Sequence, residues 1–200
     1  MRCQLNNSFV TLHWLFMNIL LYREVISTFN LFLYNSTKEV NSMETVYVAG
    51  GCLWGVQAFF KTIPGIISTE AGRANGKTQT LDGNYDGYAE CVKLTYDPEV
   101  LTIYKIMEYL FEVIDPYSVN KQGHDVGKKY RTGFYSKDDQ HLQEAKDFIN
   151  QREDCFKIKV EVLPLSNYVK SALEHQDRLE HYPEDHHMCH IPLHLLNKYK

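Results

Sequence analysis

The sequence predicts an α+β fold, a two-layer sandwich with a mixed sheet and a ferredoxin-like core. Two observations lead to this prediction. From residue 43 onward, segments with the alternating pattern of strands are interleaved with segments whose apolar residues recur at helical spacing. Their order is strand, helix, strand, strand, helix, strand, helix, strand. We therefore expect mixed strand directions, long loops beside the site and an irregular C-terminal tail.

The first predicted strand, 45–50, is short, β-branched and aromatic, and the segment 53–61 that follows has the character of a helix. A turn at Pro64-Gly65 leads into a probable strand at 66–71. The glycine- and Asx-rich segment 72–87 is a long loop. Loops of this length in a compact domain are often functional.

Near alternation predicts a strand at 88–96, and apolar residues at helical spacing predict a helix at 101–113. A second glycine-bearing loop occupies 115–130. The same patterns give the remaining elements, namely a strand at 131–135, a helix at 138–152, a strand at 158–164 and helices near 167–180 and 192–198.

Composition gives the broad class of the protein. Two hundred residues suit one globular domain, and 44% hydrophobic with 23% charged residues is an ordinary balance for a soluble protein. The net charge of -4 gives no electrostatic reason to expect nucleic acid or an anionic membrane as a partner. The five cysteines are few, odd in number and widely spaced. This pattern fits the cytoplasm, where any disulfide is catalytic.

Residues 1–42 differ from the rest, since they are rich in Asn, Leu, Phe and Tyr and show no clean period. The apolar run 12–22 is too short to span a membrane, and no small-residue cleavage site follows it. We interpret Met43 as the natural start and 1–42 as a poorly ordered upstream extension. The competing interpretation is a membrane-associated amphipathic arm.

The most informative stretch is Gly50-Gly51-Cys52-Leu53-Trp54-Gly55, where a strand ends and a helix begins. The first turn of a helix presents unpaired N–H groups and the positive end of its dipole, so a thiol there loses its proton more easily. The two preceding glycines let the backbone turn sharply, and Trp54 places a flat apolar surface beside the sulfur. The alternative, a buried structural cysteine, stays open on residue types alone.

Glu90 is the second candidate, because it shares a strand face with Tyr88 and Val92. A carboxyl beside apolar and aromatic groups keeps its proton more easily and suits a general acid. The alternative is a solvent-facing glutamate, the commoner case. Asp125 and Tyr130 follow a glycine turn, and they either donate and accept hydrogen bonds with a polar ligand atom or only cap the loop.

The tail is dense in possible metal ligands, namely His175, His181, Glu184, Asp185, His186, His187, Cys189, His190 and His194. No ligand pairs have the usual spacing of a structural zinc site, so we expect no metal. We interpret Cys189 as a mobile thiol that can reach Cys52.

Two other functions stay open on the residues. One is an acyl-transfer enzyme in which His175 activates Cys52, and the other is a metal-binding module built from the tail.

Four segments together resemble the A-type peptide methionine sulfoxide reductases. They are Gly-Cys-Leu-Trp-Gly at 51–55, Gly-Tyr-Ala-Glu at 87–90, Gln-Gly-His-Asp-Val-Gly-Lys-Lys-Tyr-Arg at 122–131 and Glu-His-Gln at 174–176. The resemblance runs from about Thr45 to the C-terminus. Residues 1–42 have no counterpart in the usual family core, which supports Met43 as the start.

The resemblance implies that Cys52 attacks the sulfur of methionine sulfoxide while Glu90 gives a proton to the sulfoxide oxygen. Tyr130 would hydrogen-bond that oxygen, Asp125 would order the pocket, and Trp54 would form the wall that holds the substrate methyl group. The chemistry agrees with this assignment, because a sulfoxide oxygen is a poor leaving group unless it is protonated.

The resemblance also implies a second step, in which Cys189 forms a disulfide with the Cys52 sulfenic acid and thioredoxin reduces the disulfide. The substrates would be the S epimer of methionine sulfoxide, both free and in oxidised proteins, and no metal or other cofactor would be needed. We expect a monomer that repairs oxidised proteins and binds neither nucleic acid nor membrane.

Three positions depart from the family pattern. Leu53 stands where the family usually has Phe, in the pocket for the methyl group, and Tyr88 stands where it usually has His. Thr78 occupies the place of a loop tyrosine. Tyr85 is our candidate to replace that tyrosine at the substrate.

Overall fold

The computed structural model describes residues 42–200, which form one compact unit. The predictions for residues 1–42 therefore lie outside the described range, apart from Ser42. Between residues 42 and 200, no helix is both long and apolar enough to cross a membrane.

The described residues form eight strands: β1 (Glu44–Gly50), β2 (Ile66–Ala74), β3 (Ala89–Tyr96), β4 (Lys121–Gln122), β5 (Asp125–Val126), β6 (Thr132–Ser136), β7 (Glu161–Pro164) and β8 (Tyr168–Lys170). Six of them make a mixed sheet in the order β7-β6-β1-β3-β2-β8, and β4 pairs with β5 separately. All neighbours in the large sheet are antiparallel except β6 and β7. The inner order β6-β1-β3-β2, with helices after β1 and β3, is that of a ferredoxin-like core. The predicted fold class is confirmed.

The α-helices are α1 (Leu53–Phe60), α2 (Ile103–Val113), α3 (Asp139–Asn150), α4 (Arg178–His181) and α5 (Leu193–Leu196). The first three pack on one face of the sheet, where Val48, Val92 and Phe134 are fully buried. Alternate strand residues, such as Ala49 and Cys91, form a smaller cluster on the opposite face. Because neighbouring strand residues point to opposite faces, Glu90 lies on the helix face, as predicted.

Side chains at the helix starts explain where α2 and α3 begin. The Thr102 side chain accepts a hydrogen bond from the Lys105 N–H at 3.3 Å, and the Asp138 carboxylate accepts one from the Gln140 N–H at 2.8 Å. Each bond satisfies one donor that the first helical turn leaves unpaired. These caps confirm the predicted helices to within about two residues.

The helix predicted near 167–180 is wrong, because this segment contains strand β8, a 3₁₀ turn at Leu173–His175 and the short α4. Tyr168 explains the difference. Its ring fills the space over Gly72, where a Cβ would lie 2.3 Å from the ring, and its hydroxyl donates to the Glu70 carbonyl at 3.0 Å. Cross-strand packing on β2 therefore overrides the local helical pattern. The same pairing extends β2 to Ala74, beyond the predicted end at residue 71.

Candidate active site

Cys52 lies where β1 ends and α1 begins, as the sequence predicts, and it is the N-cap residue of α1. The preceding Gly51 has φ +86°, a conformation that favours glycine. A Cβ on Gly51 would also lie 2.7 Å from the Cβ of Gln122. The turn that presents the Cys52 sulfur therefore requires glycine both for its backbone and for the space around it.

The prediction that the Cys52 thiol loses its proton easily is wrong. Burial raises the pKa of Cys52 to about 12, and the neighbouring carboxylate of Glu90 contributes in the same direction. A hydrogen bond from the Trp54 N–H lowers this pKa but does not compensate. The helix terminus is therefore outweighed by desolvation and by a nearby negative charge, and Cys52 rests as a neutral thiol.

Glu90 points into the site rather than into solvent, with its side chain only 13% exposed. Its Oε2 accepts a hydrogen bond from the Leu53 N–H at 3.3 Å, which ties β3 to the first turn of α1. Its Oε1 makes an ion pair with Lys129 Nζ at 2.9 Å. These two contacts fix the carboxyl beside the Cys52 sulfur.

A cavity of about 220 Å³ opens over the sulfur. Six of the eight predicted site residues line it, namely Cys52, Leu53, Trp54, Glu90, Asp125 and Tyr130. They come from the start of α1, from β3, from β5 and from the 3₁₀ turn Lys128–Tyr130 that follows β5. The structure therefore brings together one nucleophile candidate, two carboxyls, one phenol and an apolar wall.

The apolar wall is the indole of Trp54, and His175 holds it in place. The indole Nε1–H donates to His175 Nδ1 at 3.1 Å, and the two rings stack with centroids 5.9 Å apart. The guanidinium of Arg178 lies 5.1 Å from the indole ring. Since His175 Nδ1 accepts from the indole, this ring serves Trp54 and does not take the role of base that an acyl-transfer enzyme would need.

Tyr130 and Asp125 supply the polar side of the cavity. Burial raises the pKa of Tyr130, so its phenol keeps the proton that a hydrogen-bond donor needs. The Lys129 ammonium lies 4.5 Å from the Tyr130 ring centroid. Asp125 Oδ2 is buried without a hydrogen-bond partner and faces His190 Nδ1 at 3.7 Å. Asp125 thus lines the cavity while its Oδ2 faces the tail segment that carries His190.

Cys189 does not line the cavity but lies behind it, against α1. Its thiol is buried, and burial raises its pKa to about 11. A Cβ on Gly55 would lie 2.1 Å from the Cys189 sulfur, so this thiol rests against the first turn of the helix that Cys52 caps. All four described cysteines are free thiols, so the structure is that of the reduced chain.

Tyr85 does not reach the cavity. Its hydroxyl donates to the carbonyl of Tyr88 at 3.0 Å, and its ring packs edge-on against the Tyr88 ring. The loop between β2 and β3 is held instead by Asp86, whose carboxylate accepts the N–H groups of Lys77 and Thr78 at 2.9 and 2.7 Å. The structure therefore does not bring Tyr85 to the position expected of it.

Sequence reasoning missed several cavity residues, namely Arg73, Lys129, Ser171 and Met188. Lys129 had a usable signal, because it stands next to Tyr130 in the segment 122–131. The others come from elements whose approach no local pattern reveals.

No group of three or more metal-ligating side chains converges in the part of the chain that the structure describes. Tail histidines contact backbone carbonyls instead, as His187 does with Glu184 and His190 with Val113.

Comparison with known proteins gives the family. The family model described as peptide methionine sulfoxide reductase matches residues 44–199. A peptide methionine sulfoxide reductase MsrA of Clostridium acetobutylicum is 40% identical over 167 residues, covering 78% of this chain and 100% of the relative.

Solved structures agree on the fold. Methionine sulfoxide reductase A of Corynebacterium diphtheriae superposes with a TM-score of 0.66 at 27% identity, covering 72% of this chain and 77% of that one. Mxr1 from Saccharomyces cerevisiae in complex with Trx2 gives a TM-score of 0.50 at 20% identity, covering 68% and 84%, and this likeness concerns the fold alone. By its matched segment and its relatives, the chain belongs to the peptide methionine sulfoxide reductase family, of the MsrA type.

Proposed function

We propose that this chain reduces methionine-S-sulfoxide, free and in oxidised proteins, with Cys52 as nucleophile, Glu90 as acid and Cys189 as resolving thiol. The observation that carries the proposal is the placement of the Cys52 thiol and the Glu90 carboxyl in one small cavity walled by Trp54. A sulfoxide needs a soft nucleophile at sulfur and a proton at oxygen, and this cavity offers both within one substrate's reach.

Substrate orientation follows from the polarity of the cavity. The substrate methyl group packs against Trp54 and Leu53, the apolar side. The sulfoxide oxygen then faces Glu90 and Tyr130, and the Tyr130 hydroxyl donates a hydrogen bond to it. Leu53 has no aromatic ring, unlike the phenylalanine usual in the family, so we expect the methyl pocket to be wider on that side.

The first step moves one proton and two electrons. Cys52 attacks the substrate sulfur and forms an S–S bond to it, as the thiol proton passes through Glu90 to the sulfoxide oxygen. The hydroxyl group then moves from the substrate sulfur to the Cys52 sulfur. The S–O and S–S bonds to the substrate break, methionine leaves with the electron pair, and Cys52 becomes a sulfenic acid. The high pKa of the resting Cys52 supports this coupling, because moving the thiol proton onto Glu90 removes the charge that opposes the thiolate.

The second step regenerates a reducible enzyme. The Cys189 thiolate attacks the sulfenic sulfur of Cys52, the S–S bond forms, and hydroxide leaves as water after it takes up a proton. A dithiol of the thioredoxin type then opens the disulfide by exchange. The Trx2 complex of the yeast relative Mxr1 supports thioredoxin as this reductant.

The wider role follows from the same chemistry. We assign the protein to repair of oxidised proteins in a reducing compartment, the cytoplasm, and support for this is the small, odd and widely spaced set of cysteines in the sequence. We also assign it as a monomer. The catalytic domain is residues 43–200, and residues 1–42 are an extension upstream of Met43; the family match that begins at residue 44 supports this division.

A trapping experiment tests the proposal. The variant Cys189→Ser is mixed with one equivalent of N-blocked methionine-S-sulfoxide, without reductant, and then with dimedone. We expect one methionine per enzyme and a dimedone adduct on the Cys52 peptide, found by mass spectrometry. Cys155→Ser is the matched control and should behave as the parent chain, because Cys155 lies outside the cavity. An adduct on another cysteine, or no methionine, would overturn the assignment.

A further inference from the structure

The segment Cys189-His190 lies in a seat made by three glycines, Gly51, Gly55 and Gly123. A Cβ on Gly55 would lie 2.1 Å from the Cys189 Sγ. A Cβ on Gly51 would lie 2.8 Å from His190 Cε1, and one on Gly123 would lie 2.7 Å from His190 Cβ. Real Cβ atoms essentially never approach other atoms closer than 3.0 Å. A side chain at any of the three positions would therefore displace this segment.

Gly55 differs from the other two glycines. Gly51 and Gly123 have φ +86° and +57°, so their backbone already favours glycine. Gly55 lies inside helix α1, where the backbone suits any residue and glycine is less favourable than alanine. A methyl group at residue 55 would collide most severely with the Cys189 Sγ. Its next nearest neighbour would be the Ile191 Cδ1, at 3.1 Å.

The seat lies one helical turn from the nucleophile. Residues three apart in a helix are neighbours on one face, so Gly55 lies beneath Cys52 on the surface of α1. The missing side chain at Gly55 lets the Cys189 sulfur rest on this face. The N–H of Ile191 donates to the Cys189 sulfur at 3.4 Å, which further fixes the thiol.

His190 anchors the segment next to the thiol. Its side chain is only 6% exposed, and its Nε2 donates to the Val113 carbonyl at 3.2 Å. Burial lowers the pKa of His190, so the ring is neutral and its Nδ1 carries a lone pair. This lone pair faces Asp125 Oδ2 at 3.7 Å, and neither atom has a hydrogen-bond partner. The ring is thus held by one hydrogen bond and by the shape of its glycine cleft.

We propose that Gly55 and His190 are positioning residues that seat the Cys189 thiol on the face of α1 below Cys52 in the reduced enzyme, from where it resolves the sulfenic acid. This inference rests on the proposed function, in which Cys189 resolves Cys52. It goes further by naming what places the second sulfur. The resolving step is the exchange given above: the S–O bond at Cys52 breaks, the S–S bond forms and water leaves.

Rapid-quench measurement of Gly55→Ala tests the inference. Methionine formation and thiol loss are followed separately in one turnover, by chromatography and by thiol titration. We expect methionine formation within about threefold of the parent chain, and disulfide formation at least tenfold slower. His190→Ala, which removes the anchor but adds no bulk, should show the same split. Equal slowing of both steps, or unchanged disulfide formation in both variants, would overturn the inference.

Urea unfolding gives an independent readout. In the parent chain, Gly55→Ala should lose the stabilisation that alanine normally brings to a helix, because its methyl group displaces Cys189. In the Cys189→Ala background the same change should raise the equilibrium constant for folding by about two- to fivefold, as expected for an ordinary helix position. Additive effects would show that residues 55 and 189 do not interact. If the parent chain forms no methionine, the proposed function fails, whereas this coupling tests the seat alone.

Discussion

Replacing Glu90 by glutamine separates two effects that the carboxyl exerts on Cys52. Glutamine keeps an acceptor for the Leu53 N–H but loses the negative charge and the ion pair with Lys129. The negative charge of Glu90 disfavours the Cys52 thiolate. In Glu90→Gln this charge is absent, so the pKa of Cys52 falls from about 12. It stays above the ordinary value of 9.0, because burial is the larger cause. The variant should therefore have a more reactive thiol in the absence of substrate.

The same substitution removes the proton donor for the sulfoxide oxygen. General acid catalysis contributes about 10²–10⁴-fold, which corresponds to roughly 3–5 kcal/mol of barrier. With a pKa of about 12, roughly one Cys52 thiol in 10⁴ is ionised at pH 8 in the parent chain. Glu90→Gln should thus raise the rate of Cys52 alkylation at this pH while lowering the rate of methionine formation by about 10²-fold or more.

Two measurements on one preparation of Glu90→Gln test its effect on the Cys52 thiol and its effect on methionine formation separately. Alkylation of Cys52 by iodoacetamide at pH 8 is followed by mass spectrometry, and methionine formation is followed in a single turnover. Glu70→Gln is the matched control, because Glu70 is also a strand glutamate in an ion pair, with Lys170 at 2.7 Å, but it lies outside the cavity. Unchanged methionine formation in Glu90→Gln would refute the acid role. Slower alkylation would refute the electrostatic argument.

Three further predictions concern the surroundings of the site. Lys129→Met removes the 2.9 Å ion pair with Glu90. Because the Glu90 carboxyl then loses its fixed position, kcat/KM in a steady-state assay should fall by about tenfold. Lys129→Arg keeps the positive charge and should retain most of the activity in the same assay. His175→Ala removes the acceptor of the Trp54 indole N–H, so KM should rise about fivefold while kcat changes less. A large fall in kcat with an unchanged KM would contradict the role of His175 in positioning Trp54. Deletion of residues 1–42 should leave turnover and the thermal midpoint unchanged, and loss of folded protein would show that the extension is structural.

Local patterns were sufficient to predict the positions of Cys52 and Glu90. The first follows from a strand, two glycines and a helix in succession, and the second follows from strand parity, since Val92 marks the buried face. The order of the elements was sufficient for the ferredoxin-like core. These features depend on residues close together in the chain, which a sequence displays directly.

Other features depend on contacts between distant segments, and the sequence does not display them. The raised pKa of Cys52 requires the depth of burial and the approach of Glu90, which are properties of the folded chain. Strand β8 replaces a predicted helix because Tyr168 fits over Gly72, almost a hundred residues earlier. The bond between Trp54 and His175 likewise joins segments 121 residues apart.

The central claim is that Cys52 reduces the sulfoxide and that Cys189 passes the oxidation on to thioredoxin. The most direct test is turnover of each epimer of a blocked methionine sulfoxide, first with dithiothreitol and then with thioredoxin, for the parent chain, Cys52→Ser and Cys189→Ser. We predict activity on the S epimer alone, lost with both reductants in Cys52→Ser and lost only with thioredoxin in Cys189→Ser. Equal thioredoxin turnover in Cys189→Ser would contradict the role of Cys189, and activity in Cys52→Ser would contradict the account as a whole.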